Sequence, residues 1–304
     1  MRILIAGGSG FLGRPLCELL LQHHHQVTVL SRNPAKAASA LPAAVSVIAW
    51  DALTRGQWER TLDTADAVIN LAGEPIADQR WTAQRKQLVR NSRTTATCLL
   101  VQAIGRASPR PSVLVNASGI GYYGPCDARP VTEQTPAGSG FLAEMSVAWE
   151  QEAMAAEAIG LRVVRLRIGI VLALDGGALP RMALPFRFFL GGPVGSGTQW
   201  ISWIHREDLL GLIRWALTNP AISGPVNGVA PGAVAMRDFC RTLGEALNRP
   251  CWFPVPEFVL RLALGEMAVL LTTGQRVEPT VALRGGYVFR YPALKPALEA
   301  IVRA

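Results

Sequence analysis

A doubly wound α/β fold, with a parallel sheet flanked by helices on both faces, is what this 304-residue chain predicts. Three observations carry the prediction. The first thirteen residues run as a short apolar strand (residues 2–6), a glycine turn, Gly7-Gly8-Ser9-Gly10-Phe11-Leu12-Gly13, and then the helical spacing Leu16, Leu19, Leu20. Short apolar runs recur at residues 26–30, 45–49, 67–71, 113–115, 161–168 and 226–229, with helical patterns at residues 81–104 and 209–217. Half of the residues are apolar, enough to cover a large sheet on both faces.

The order strand, glycine turn, helix suits a dinucleotide. Glycines permit a tight turn and close backbone approach, and the free N–H groups opening the helix attract a pyrophosphate. Gly7, Gly8, Ser9, Gly10, Phe11, Leu12 and Gly13 are therefore the candidate cradle, although a bare strand-to-helix turn uses the same residue types. The second strand ends at Ser31-Arg32-Asn33-Pro34. An acidic residue there would bind a ribose 2′-hydroxyl, whereas serine and arginine match a 2′-phosphate, which points to NADP(H). An exposed arginine in a turn is the competing reading. At the next two strand ends Asp51 can accept from the adenine amino group beside Ala52, and Leu71, Ala72 and Gly73 let a cofactor lie against the backbone.

Beyond residue 171 the chain changes character. Gly176-Gly177, Pro180, Pro185, Gly191-Gly192-Pro193 and Gly195-Ser196-Gly197 break it into loops and short elements. The expected division is a Rossmann-type core over residues 1–171, to which 205–230 return, and a smaller, partly interleaved C-terminal substrate lobe over 172–304, ending in helices such as 258–271.

Composition bounds the partners. Net charge is +8 with three lysines, Lys36, Lys86 and Lys295, and the arginines are dispersed, so phosphates of a small molecule are expected and nucleic acid is not. The longest apolar stretch, 258–271, carries Arg261 and Glu266, and the N-terminus has no signal-peptide pattern, so a cytoplasmic protein off the membrane is expected. Five scattered cysteines without a Cys-x-x-Cys pair, and the run His23-His24-His25 at a helix-to-strand connection, predict no metal site. Monomer and homodimer are both open.

Several stretches carry a family resemblance: the glycine turn, Asn70-Leu71-Ala72-Gly73-Glu74-Pro75, Asn91-Ser92-Arg93-Thr94-Thr95, and Ser118-Gly119-Ile120-Gly121-Tyr122-Tyr123-Gly124. Trp200-Ile201-Ser202-Trp203-Ile204-His205 and Gly274-Gln275-Arg276-Val277 add to them. Together they resemble extended short-chain dehydrogenase/reductases, and within them an atypical epimerase-like branch whose members are labelled nucleoside-diphosphate-sugar epimerases or cell-division inhibitors. The resemblance implies that Ser118 hydrogen-bonds a reacting hydroxyl or carbonyl. It also implies that Arg93, and the segment Arg167-Ile168-Gly169, lie with the cofactor, and Glu74 with the substrate; among the arginines around the helix 81–104, whose charged face is otherwise solvated, Arg80 is expected near the mouth.

The usual acid/base of that superfamily is a tyrosine helped by a lysine four residues on, and here the pair is missing. Four residues after Tyr122 and Tyr123 stand Cys126 and Asp127, and the helix expected to carry it reads Phe141-Leu142-Ala143-Glu144-Met145-Ser146-Val147-Ala148-Trp149-Glu150. Tyr291 with Lys295 matches the spacing, but between Pro292 and Pro296 it reads as coincidence. Tyr122 or Tyr123, then Glu144 or His205, are the remaining proton handlers, with helix surface and helix capping as the plainer roles of the last two. Trp200 and Trp203 either stack on a substrate ring or fill a core. The expected function is an NADP(H)-dependent oxidoreductase or epimerase acting on a hydroxyl or carbonyl of a small molecule, a nucleotide sugar being one class. The rival is a non-catalytic NADP(H)-responsive regulator.

Overall fold

The computed structural model describes residues 1–303. Seven strands form one parallel sheet: β1 (Arg2–Ala6), β2 (Gln26–Ser31), β3 (Ser46–Ala49), β4 (Ala67–Asn70), β5 (Val113–Gly119), β6 (Arg162–Ile168) and β7 (Gly224–Gly228). Their order is β7-β6-β5-β4-β1-β2-β3, so the chain winds outward in one direction from β1 and then in the other from β4. The reversal opens a crevice between the carboxyl ends of β1 and β4, where open α/β sheets take their ligands.

The central strands read as continuous apolar runs because both faces are covered. On one face Ile3, Ile5 and Val29 pack with Leu16 and Leu20 of α1 (Gly13–Gln22) and Leu212 of a later helix. After α2 (Pro34–Ala40) the other face is covered by α3 (Ala83–Arg106) and α4 (Phe141–Met154), which bring Leu100, Ile104 and Ala153 against Leu4, Val68 and Leu114. Helix α3 starts two residues later than expected, since Thr82 accepts from the Arg85 N–H and acts as its N-cap.

Past β6 the chain forms α5 (Leu179–Arg187) and then returns to the sheet through α6 (Arg206–Thr218) and β7. It continues through α7 (Met236–Leu247) and α8 (Glu257–Leu264). Leu172, Phe186, Trp203, Phe239, Leu243 and Leu298 make a separate core beside the sheet. Ala282 and Phe289 pack not there but with the sheet residues around Leu212, so more of the C-terminal part interleaves than residues 205–230 alone.

Two expected elements differ. The strand at residues 113–115 extends to Gly119, because β6 pairs with it as far as Ser118↔Arg167 and Gly119↔Ile168. Apolar patterning cannot signal that extension, which exists only because a partner strand satisfies the backbone. The stretch 258–271, expected to be helical, divides at Leu264, where Gly265 takes φ +60, followed by a short turn and a second helical stretch, Val269–Thr272. The histidine run closes α1, with the His25 N–H donating to the Leu20 carbonyl.

Candidate active-site crevice

The glycine turn occupies the carboxyl end of β1. Gly7 has φ +79, and a Cβ there would stand 2.7 Å from the Leu71 carbonyl carbon, so the turn is pressed against the exit of β4. A Cβ on Gly13 would lie 2.4 Å from the Gly8 Cα, which makes glycine the residue that lets α1 start under the turn. Gly10 differs: it is exposed, and a Cβ there would meet only the Gly7 carbonyl oxygen, at 3.3 Å. This bare backbone facing the crevice fits the close approach of a pyrophosphate. Ser9 and Leu12 flank it, half-buried, and the Phe11 ring is enclosed by Gly176 and Gly177.

A buried amide network holds the β4 exit. The Asn70 amide donates to Thr97 Oγ1 (2.8 Å) and Asn116 Oδ1 (2.7 Å), and its oxygen accepts from the Ala72 N–H, which orients Leu71, Ala72 and Gly73 beside the glycine turn. Trp149 Nε1 of α4 also donates to Thr97. Arg93, on α3, lies beneath Gly73 and donates to the Val89 and Glu74 carbonyls, while its Nε has no partner among the described residues. Burial pulls its guanidinium down to about 10.

Just past the end of β2, Arg32 stays exposed and donates to Glu74 Oε1 at 2.7 Å, joining a residue expected at the cofactor to one expected at the substrate. The Ser31 hydroxyl is taken up with the backbone of Asn33, which caps α2. Asp51 is engaged locally: its carboxylate accepts from the Leu53 and Thr54 N–H groups and the Thr54 hydroxyl, and these bonds, led by that from Leu53, hold it below the usual carboxylate range. Oδ2 accepts from Thr54 alone, which leaves exposed Asp51 a lone pair for one further donor beside this turn, in which Ala52 takes φ +64.

The other end of the crevice is a closed set of charges. The buried Ser118 hydroxyl, one residue before the end of β5, donates to Glu150 Oε1 at 2.7 Å. Glu150, on α4, is gripped by Arg167 of β6 through Nε (2.8 Å) and Nη2 (2.9 Å), with Arg165 Nη1 at 3.5 Å. Arg167 Nη1 donates to the Tyr123 hydroxyl, which donates to Asn227 Oδ1 on β7 (2.7 Å). The Asn227 N–H in turn donates to the buried Glu133 carboxylate. The guanidinium of Arg167 lies 3.4 Å from the Tyr122 ring centroid. Burial lowers the Arg167 pKa, but the ion pair with Glu150 outweighs it and the net shift is upward. Burial pushes the Tyr123 phenol up to about 12, against the opposing charge of Arg167.

This geometry redistributes the sequence-predicted residues. Arg167 has no free face for a cofactor: it is a structural cation. Tyr123 is held as a hydrogen-bonded, neutral phenol, whereas the half-buried Tyr122 has a hydroxyl with no protein partner among the described residues. Gly169 is packed against the Ser202 carbonyl rather than lining open space. Glu144 is exposed on α4. His205 caps α6, accepting from the Glu207 N–H, and stacks on Tyr291 at 4.0 Å; burial keeps its imidazole below its ordinary pKa of 6.5. Lys295 pairs with Glu245 instead of approaching Tyr291's hydroxyl. Trp203 is fully buried with its indole N–H on the Gly232 carbonyl, a core residue, while Trp200 is half-buried under Arg276. Arg80 donates to the Leu262 and Ala263 carbonyls, capping the end of α8 instead of facing a substrate.

Glu150, Glu133 and Asn227 carried no role at the level of sequence. One signal was available for Glu150: Arg165 and Arg167 alternate within a buried apolar strand, and buried guanidinium groups require an acid to pair with. The described residues contain no group of three or more His, Cys, Asp or Glu able to hold a metal ion, and no helix long and apolar enough to cross a membrane.

Comparison with known proteins places this crevice among relatives. The profile of the NAD dependent epimerase/dehydratase family matches residues 3–227, and that of a domain of unknown function, DUF1731, matches residues 255–301. The chain is 42% identical over 308 residues to the epimerase family protein SDR39U1 homolog, chloroplastic, of Arabidopsis thaliana, covering 100% of the chain and 87% of that protein. It is 40% identical over 304 residues to the epimerase family protein YfhF of Bacillus subtilis, covering 99% and 98%. The crystal structure of human epimerase family protein SDR39U1 (isoform 2) with NADPH superposes with a TM-score of 0.88 at 36% identity, covering 100% of this chain and 99% of that one.

Proposed function

The chain belongs to the NAD dependent epimerase/dehydratase family, and on that premise we propose that it binds NADP(H) and acts on a hydroxyl or carbonyl group of a small molecule. The observation that carries the reading is the Ser118 hydroxyl, held by Glu150 at the exit of β5, in the same crevice as the bare glycine turn of β1.

Gly7, Gly10 and Gly13 with Leu12 would hold the pyrophosphate, Arg32 the 2′-phosphate, and Leu71, Ala72 and Gly73 one side of the nucleotide. When bound, the nicotinamide supplies hydride transfer. The residues of the chain have three other tasks. Glu150 takes the proton of Ser118 into a hydrogen bond, so the lone pairs of Oγ remain to accept from a donor in the crevice, such as a substrate hydroxyl. Arg167 keeps Glu150 in place through two parallel bonds. Tyr122, with its hydroxyl unclaimed, is the proton handler this arrangement favours over Tyr123, Glu144 and His205.

A second reading is supported by one specific feature. Helix α4, on which the family's tyrosine and lysine pair was expected, contains neither residue type, so the protein would bind NADP(H) without turnover and act as a sensor.

Titration with NADPH, followed by turnover against a panel of carbonyl compounds, alcohols and sugar nucleotides, separates the two. For an enzyme, Ser118→Ala lowers turnover by about a hundredfold while NADPH affinity stays within twofold. Binding without turnover across the panel supports the sensor, and absence of NADPH binding overturns both.

A further inference from the structure

The residue paired with Arg32 has a consequence for cofactor choice. Arg32 has a side chain 71% exposed and, among the described residues, a single charged partner, Glu74 Oε1 at 2.7 Å. Glu74 is far less free. Its N–H donates to Ser92 Oγ (3.0 Å), its carbonyl accepts from Arg93 Nη2 (3.0 Å), and its second carboxylate oxygen lies 3.8 Å from Arg85 Nη1, so α3 holds it from below. A ligand that draws Arg32 away leaves the Glu74 carboxylate standing at the end of β2.

We propose that Glu74 is a specificity-determining residue of the adenosine-ribose site, opposing Arg32 and favouring a 2′-hydroxyl over a 2′-phosphate. The proposal rests on the crevice being the NADP(H) site. Arg32 attracts a 2′-phosphate through charge-assisted hydrogen bonds, but it must first give up Glu74, and the dianion then sits within Coulomb range of a fixed carboxylate. A free 2′-hydroxyl meets neither cost and offers that carboxylate a donor. The discrimination between NADPH and NADH is therefore the difference of two opposed charges contributed by two different loops, instead of the product of one arginine.

The test measures dissociation constants of NADPH and NADH, by calorimetry, for the wild-type protein, Glu74→Gln, Glu74→Asp and Arg32→Ala. Glu74→Gln keeps the shape of the side chain and removes its charge, and is expected to raise the NADPH-over-NADH preference about fivefold. Arg32→Ala lowers the preference by about tenfold or more. Glu74→Asp, which keeps the charge but draws it back from Arg32, lies between the wild type and Glu74→Gln, and stands in if Glu74→Gln does not fold. A preference that is unchanged or lowered in both Glu74 variants overturns the proposal and leaves the NADP(H) reading intact. A wild-type protein that binds neither nucleotide overturns that reading and the proposal together.

Discussion

The two ends of the crevice are made of different material. At the nucleotide end the contacts come from backbone: Gly7 and Gly13 are glycine because a Cβ would strike neighbouring main chain, and Gly10 leaves its main chain open. The charged side chains there, Arg32 with Glu74 and Asp51, sit on loops, and Arg32 is exposed and singly paired. At the reaction end the contacts come from side chains, and they are closed: Ser118, Glu150, Arg167, Tyr123, Asn227 and Glu133 are all buried and bonded to one another. The difference teaches that the first end is limited by the volume its backbone can admit, and the second by the pairing of its buried charges.

The largest effect comes from breaking the closed end. Glu150→Ala strands Arg167, and Arg165 beside it, without an acid, and is expected to destabilise the protein by about 3–5 kcal/mol in chemical denaturation. The double variant Glu150→Leu with Arg167→Met recovers part of that loss, since it removes the fully buried ion pair together but leaves Arg165 without its acid. If the single variant is as stable as the wild type, the network is not the rigid unit described.

At the open end the critical quantity is volume. Gly7→Val forces a β-branched residue to a positive φ and drives a Cβ to 2.7 Å from the Leu71 carbonyl, which costs about 2–4 kcal/mol and abolishes NADPH binding. A fluorescence titration of the folded variant that still saturates with NADPH would contradict the backbone-built cradle.

The smallest effect tests a residue at neither end. Burial depresses the His205 pKa, so the unfolded chain takes up the proton first as pH falls through 6.5. The contribution of this neutral imidazole is complete above pH 6.5 and lost below it. His205→Asn, which can still accept from the Glu207 N–H, is expected to flatten the decline of melting temperature with acid and leave NADPH affinity unchanged. A change in affinity would place His205 in the crevice after all.

Much of the open end was legible because its causes are local. A period-two or continuous apolar run, a glycine before a helix and a Ser-Arg pair at a strand end are short-range statements about sterics and charge, and the positions of all seven sheet strands followed from them. The closed end was not legible in the same way. Ser118 was singled out only through a resemblance, Arg167 was expected beside the cofactor and is buried against Glu150, and Glu150 carried no role. These residues meet only because β5 and β6 are neighbours and α4 crosses them, a juxtaposition that no spacing along the chain encodes.

By itself, then, the sequence determined where the backbone turns, which strands are buried and that a glycine turn stands at the end of β1, since glycine sterics and hydrophobic periodicity act within a few residues. Only the tertiary structure decided that Arg32 answers to Glu74, 42 residues away, that Arg167 answers to Glu150, and that Arg80 closes α8 from 182 residues away. Electrostatic pairing acts through space, and which charges share that space is set by the order in which the strands are laid down.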